Sequence, residues 1–281
     1  MLPVENQVPA SLSRSRTLVL LSISFRQMCT GAVLLPFLGL LTCLITAYIF
    51  QPDDIHETHC RVYNIIPSIS AITGVSPQRY LWRICVAFHV GPRVVIAFVY
   101  YAHYLSVIMQ RPLSERPRFI KHLRLCFWLS MIEIGTLCGV TYVSNRENYP
   151  LHEKIFIGFM VSSLVYMLTL VRLIRALRPD MTPNEFNSYR IKKGLFVVSI
   201  VSTVGLIVFF LKHRLLCHDM AFSWFAFCEY VVASCNMAYH FTVVLDFPAE
   251  HIMVGKGLSV QLLSESNVDV EELPTVHQKK E

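Results

Sequence analysis

Charge is scarce in this chain. Asp, Glu, Lys and Arg make up 16% of its 281 residues while 54% are hydrophobic, against roughly 25% charged in a soluble globular domain. With several apolar runs of about 20 residues, this composition excludes an ordinary soluble domain and gives a polytopic helical membrane protein. The net charge is +6, but its Lys and Arg lie in short blocks between apolar runs. That is an orientation signal rather than a binding stripe, so no nucleic-acid partner is expected. The nine cysteines (29, 43, 60, 85, 126, 138, 217, 228 and 235) include no CxxC pair. A zinc site therefore lacks support, and most of these cysteines sit in apolar runs as small hydrophobes.

Familiar catalytic and processing patterns are missing too. There is no GxSxG elbow, and HEKIF at 152–156 is not the HExxH metal motif. The His-x4-Asp pattern of many glycerolipid acyltransferases is absent, because His240 and Asp246 are one residue too far apart. His56, His59 and Cys60 in HETHC are too irregularly spaced for a metal site and read as loop residues; no metal and no bound cofactor is expected. No Asn-x-Ser/Thr sequon occurs, so N-glycosylation is not expected. No internal repeat or pair of broken helices is visible, which argues against a channel or transporter.

What is present is six apolar runs, at 31–50, 83–109, 125–143, 155–174, 194–211 and 222–247. The expected architecture is all-α: an N-terminal cytoplasmic arm (1–30), a bundle of about six transmembrane helices (31–247), and a disordered cytoplasmic tail (248–281). The arm is expected to be disordered over residues 1–16. The apolar stretch 17–25 is too short to span and reads as an interfacial lead-in to the first helix. No small-residue cleavage site follows it as a signal peptide would require. With both termini cytoplasmic, seventeen Lys and Arg fall on the cytoplasmic side and seven on the other, a clear positive-inside bias. The loops 51–82, 144–153 and 212–221 are then lumenal. The first and last of these hold one cysteine each, Cys60 and Cys217, and a lumenal compartment permits disulfides. A Cys60–Cys217 bridge is predicted; the alternative is two free thiols.

Polar residues inside the spans form stripes. At about 100° per residue, Arg93, Tyr100 and His103 fall within about 40° of His89. Asn236 and His240 fall within about 20° of Glu229, with small Ala233 between them to permit close helix approach. The third span adds Glu133. By depth, Arg93 should meet Glu133 near mid-membrane, and His89 should meet Glu229 nearer the lumen, giving a polar pocket in the lumenal half. Arg83, off the stripe, should snorkel at the surface. Each of these residues has an equally weighted bland reading as a helix–helix tie.

The blocks THC at 58–60, NxxPSxS at 64–70, PQRYLWRIC at 77–85, His89, PR at 92–93, YLS at 104–106, TYVS at 141–144, HE at 152–153, SSL at 162–164, Cys217 and NMAYHFTVVLDF at 236–247 occur in that order. In these the chain resembles the post-GPI-attachment-to-proteins factor 2 family over about residues 30–248. The resemblance implies a multi-pass protein of the Golgi or endoplasmic reticulum membrane whose partners are GPI lipid, GPI-anchored proteins and membrane lipids. It implies GPI-anchor remodelling, with a saturated acyl chain restored to a lyso-GPI at sn-2. As an acyltransferase the chain would use His89 as base, with Glu229 and His240 as further catalytic candidates. Arg93, Tyr100, His103, Glu133 and Asn236 would bind the substrate, and the acyl donor is left open. The alternative is a non-catalytic adaptor that presents or retains lyso-GPI for another enzyme.

Overall fold

The computed structural model describes residues 18–256, so the expectations for residues 1–16 and for the tail beyond 256 fall outside the described residues. The elements are β1 (Leu18–Ser24), α1 (Phe25–Phe50), α2 (Pro52–His56), α3 (Ile69–Gly74), α4 (Gln78–Met109), α5 (Arg116–Tyr142), α6 (Tyr149–Leu177), α7 (Pro183–Leu216), α8 (Ala221–Phe241), α9 (Val243–Asp246) and β2 (His251–Lys256). They fall into two units.

The smaller unit is a two-stranded antiparallel pair. β1 runs against β2 from Leu18 opposite Lys256 to Ser24 opposite His251, with an irregularity between Val19 and Leu21. The sequence reads the β1 stretch as an interfacial lead-in without assigning it a strand, and expects no regular structure at β2, which the strand His251–Lys256 corrects. The strand partner lies at the far end of the chain, where no local pattern announces it.

The larger unit, Phe25–Glu250, is an all-α bundle. α1 packs on α4, α4 on α5, α5 on α6, α6 on α7, α7 on α8, and α8 back on α1, closing a ring of six long helices. Five of the six, α1 and α4 to α7, are long and apolar enough to cross a membrane. α8 has 21 residues, about 31 Å at the helical rise, which is also long enough. Its apolar character is diluted by Ser223, Glu229, Asn236 and His240, all of which point inward and are buried.

The helices overrun the apolar runs. α1 begins at Phe25 rather than 31 because Phe25 and Cys29 are packed inside. α7 begins at Pro183, where Thr182 and Glu185 form a capping box: Thr182 Oγ1 accepts from Glu185 N at 3.4 Å and Glu185 Oε2 accepts from Thr182 N at 2.9 Å. Such a cap typically contributes about 1 kcal/mol. Close helix contacts use the smallest side chain. A Cβ on Gly39 of α1 would lie 2.8 Å from Cys85 Sγ of α4, and one on Gly205 of α7 would lie 2.9 Å from Cys228 Sγ of α8.

The segment between α1 and α4 is not an open loop. Ile55 of α2, with Ile72 of α3 and Val75 just after it, buries itself against Leu40, Cys43 and Ala47 of α1, stoppering one end of the ring. Cys60 is disulfide-bonded to Cys217 at the end of α7, with Cα atoms 5.5 Å apart. Around the bridge, Tyr63 O accepts from Met220 N at 3.0 Å, and the amides of Ile65 and Ile66 donate to Ser223 Oγ at 2.8 and 3.2 Å.

The turn between α5 and α6, at the same end, is organised by Glu147. Its carboxylate accepts from Ser144 N at 3.0 Å and from Arg83 Nη2 at 2.7 Å, with Arg79 Nη1 at 3.5 Å. The Ser144 amide first, and then Arg83, hold its pKa down to about 2 from the ordinary carboxylate value of 4.5. A depressed folded-state pKa gives stability that is present above about pH 4.5 and lost as pH falls towards about 2. Glu147 is 42% exposed, so water screens the tie and its contribution is below about 1 kcal/mol. Glu147→Gln is expected to lower the thermal midpoint in detergent slightly at pH 7, with the gap to wild type narrowing below about pH 4.5 and closing only near about pH 2. A gap independent of pH would contradict this origin.

Candidate functional site

Two buried polar clusters and two apolar cavities lie inside the ring. The central cluster is built on Glu133 of α5, which is 1% exposed. Its Oε2 accepts from Arg93 Nη2 of α4 at 3.0 Å. Its Oε1 accepts from Asn236 Nδ2 at 2.6 Å and from His240 Nε2 at 3.1 Å, both on α8. Asn236 Nδ2 also donates to Ser163 Oγ of α6 at 2.7 Å, and His240 stacks on Tyr166 with ring centroids 5.6 Å apart. One guanidinium thus faces one carboxylate, and neither charge is left alone in hydrocarbon, where a lone charge costs at least about 2.5–3.5 kcal/mol. His89 completes the cluster. Its Nδ1 lies 2.5 Å from the Ala32 carbonyl of α1, and since a carbonyl only accepts, Nδ1 carries the hydrogen. Its Nε2 lone pair faces Arg93 Nη1 at 3.5 Å.

The second cluster lies further along the same stripe. Asp246 of α9 accepts from Lys192 Nζ at 2.6 Å, from Ser188 Oγ at 2.6 Å and from the Tyr100 hydroxyl. Ser188 Oγ accepts in turn from Lys192 Nζ at 2.8 Å. Lys192 is 1% exposed although it belongs to a basic stretch.

Several expectations meet different geometry here. Arg93 and Glu133 pair as the depth argument has them. The anticipated His89–Glu229 pair does not form: Glu229 Oε2 accepts from the backbone amide of Ile69, the first residue of α3, at 2.9 Å. Helical depth locates two side chains but does not reveal that the preceding loop folds back and gives one of them an amide. His240 also reaches Glu133. Tyr100 belongs to the Asp246 cluster, and His103 lies beside it, its Nε2 3.5 Å from Arg178 Nη2. Arg93 directs its guanidinium to Glu133 and His89. Arg83, expected at the surface, carries its guanidinium to the α5–α6 turn, where it reaches Glu147 at 2.7 Å and the Tyr142 carbonyl at 2.8 Å. His56 holds its loop, with its ring nitrogens 2.6 Å from Pro52 O and 2.9 Å from Ile65 O.

The inner cavity, about 110 Å³, lies between α1, α4, α5, α6 and α8. His89, Glu229 and Asn236 stand on a wall that is otherwise mostly apolar, with Leu40, Val86 and Met160. The outer cavity, about 370 Å³, lies between α6, α7 and α8 and is lined by Ile157, Ile207, Phe210 and Phe225. The outer volume falls within the range of small-molecule sites, and the inner one is smaller. The two cavities share Ser70, His152, Phe156, Leu206 and Glu229 as common lining. Ser70 Oγ lies 2.9 Å from His152 Nε2. Sequence reasoning missed Ser70, His152, Ser163, Ser188, Lys192 and Asp246 as site residues. The advance signals are that Ser70, His152, Ser163 and Asp246 fall in the quoted blocks and that Ser188 and Lys192 share one helix face at i, i+4 spacing.

Comparison with known proteins follows the same outline. A family model described as the Frag1/DRAM/Sfk1/Cwh43P N-terminal domain matches residues 24–250. A Drosophila melanogaster protein named post-GPI attachment to proteins factor 2-like is 55% identical over 236 residues, covering 83% of this chain and 73% of that protein. A Xenopus tropicalis protein named acyltransferase PGAP2 is 34% identical over 237 residues, 84% of this chain and 92% of that protein. A Caenorhabditis elegans post-GPI attachment to proteins factor 2 is 32% identical over 243 residues, 84% and 90%. No solved structure matches. With a six-helix ring covering the matched region, this chain belongs to the post-GPI attachment to proteins factor 2 family, within the Frag1/DRAM/Sfk1/Cwh43P domain family.

Proposed function

We propose that the chain remodels the lipid of GPI anchors as a membrane acyltransferase, restoring a saturated acyl chain at sn-2 of a lyso-GPI in the Golgi or endoplasmic reticulum membrane. Its partners are then GPI lipid, GPI-anchored proteins and the surrounding bilayer lipids. A relative matching 84% of the chain is named acyltransferase PGAP2. The observation that carries the reading is a pair of apolar cavities meeting at a small group of hydrogen-bonding side chains. An acyl transfer between two lipids needs that layout: hydrocarbon walls for two tails and a few polar atoms at the ester. The positive-inside bias favours the disulfide-bonded end facing the lumen, the side on which a GPI lipid's leaflet lies. No bound cofactor is required, since the acyl donor enters as a second substrate.

Within this reading Glu133, Arg93, His240 and Asn236 hold the helices that form the inner wall. Glu229 sets α3 by accepting its first amide. His89, the base expected from sequence, is positioned by Ala32 and Arg93 and borders the inner cavity. Purified full-length protein given lyso-GPI and a saturated acyl donor should yield the sn-2 acylated product by mass spectrometry. Glu229→Ala is expected to cut the rate about 10²-fold through misplacement of α3. Lyso-GPI binding without turnover would favour the adaptor reading, for which the absent His-x4-Asp pattern speaks.

A further inference from the structure

From the contact between α3 and α6, we infer that Ser70 and His152 form the acyl-transfer centre, Ser70 as nucleophile and His152 as its general base; this rests on the acyltransferase reading above. His152 Nδ1 lies 2.7 Å from the Val143 carbonyl, which can only accept, so Nδ1 carries the hydrogen. Nε2 then presents its lone pair, and what it meets at 2.9 Å is the Ser70 hydroxyl. A nucleophile, a base in hydrogen-bond reach and a third group fixing the tautomer of the base is the arrangement that activates a serine. Among the buried histidines described, His89, His152, His213 and His240, only His152 faces a hydroxyl. His89 faces an arginine and His240 a carboxylate.

Location supports the same assignment. His152 is 7% exposed, yet both it and Ser70 line the inner and the outer cavity. They stand where two hydrocarbon tails, one in each cavity, bring their head ends together. α3 is not a span. It is held by the Ser68 cap, Ser68 Oγ accepting from Ala71 N at 3.1 Å, and by Glu229, so Ser70 is presented from a fixed turn.

The donor is an acyl thioester or a glycerolipid acyl ester, R–CO–X. Ser70 Oγ attacks the carbonyl carbon as its proton passes to His152 Nε2. The C–X bond breaks, and X departs as a thiol or alcohol carrying that proton, leaving an acyl ester on Ser70. The sn-2 hydroxyl of the lyso-lipid then gives its proton to Nε2 and attacks the ester. The Ser70 Oγ–acyl bond breaks and Oγ recovers the proton, so the cycle closes with no oxidant or reductant.

The test uses full-length protein in mixed micelles with stearoyl-coenzyme A in one arm and distearoyl phosphatidylcholine in the other. Before acceptor is added, mass spectrometry should find a stearoyl adduct on the peptide containing Ser70, in the arm that holds the true donor. Ser70→Ala should abolish the adduct and lower transfer to lyso-GPI about 10³-fold, and His152→Gln should lower both about 10²–10⁴-fold. Ser70→Cys should restore an adduct, now a thioester released by neutral hydroxylamine, which leaves the serine ester intact. That exchange of lability is not a property of a merely structural tie. Transfer by Ser70→Ala close to the wild-type rate overturns the dyad while leaving the acyltransferase reading standing. An adduct on Ser70 without a lyso-GPI product supports the dyad and overturns the choice of acceptor. Neither adduct nor transfer in the wild type overturns both.

Discussion

Glu133→Leu is expected to destabilise the detergent-solubilised protein by about 3–5 kcal/mol, the cost of stranding one partner of a buried ion pair. The mutation leaves Arg93, 3% exposed, beside an apolar side chain, and removes the acceptor of Asn236 and His240 as well. Single interhelical hydrogen bonds in membrane proteins average only about 0.6 kcal/mol, so the stranded charge dominates. Adding Arg93→Met to Glu133→Leu should therefore recover part of the loss rather than deepen it. A double-mutant cycle on thermal midpoints reads this directly. Additive costs for the two substitutions would show that the pair is not a coupled unit.

Asp246→Ala carries the second large effect, about 2–4 kcal/mol. It strands Lys192, 1% exposed, and leaves the hydroxyls of Tyr100 and Ser188 without their acceptor. Lys192→Met should be the milder change, about 1–2 kcal/mol. The Asp246 side chain is 15% exposed and can hydrate, and it retains two hydroxyl donors. Thermostability by fluorescence-detected size-exclusion chromatography would rank the two. If Lys192→Met is the worse, the lysine is there for something other than neutralising Asp246.

The long helices are legible in the sequence because a membrane span is a local property: about 20 apolar residues suffice to identify one. Their ends are less so. α5 starts at Arg116 and α7 at Pro183, well before the apolar runs, since Arg118, Lys121 and Arg190 continue a helix beyond the hydrocarbon. The Thr182-x-x-Glu185 start signal is readable, but hydropathy passes over it. Within the site, Arg93 and Glu133 follow from sign and depth alone, because straight helices carry both. His89 and Glu229 fail the same reasoning because Glu229 finds a backbone amide in a segment that reads as loop. Lys192 hides as an orientation charge. Ser70 and His152 sit on different elements 82 residues apart, and no spacing rule joins them.

The central cluster also acts as a ruler. Through Glu133, Arg93, Ser163 and Asn236 it pins α4, α5, α6 and α8 at one level. A slip of any of them by a single turn, about 5.4 Å, would carry its polar group past the others into hydrocarbon. Helices in lipid otherwise slide against one another at little cost, since tails and leucines offer similar contacts. Fixing that vertical setting also fixes how far the inner cavity's polar wall lies from the stoppered end, and so how deep a head group can descend before its ester meets the protein.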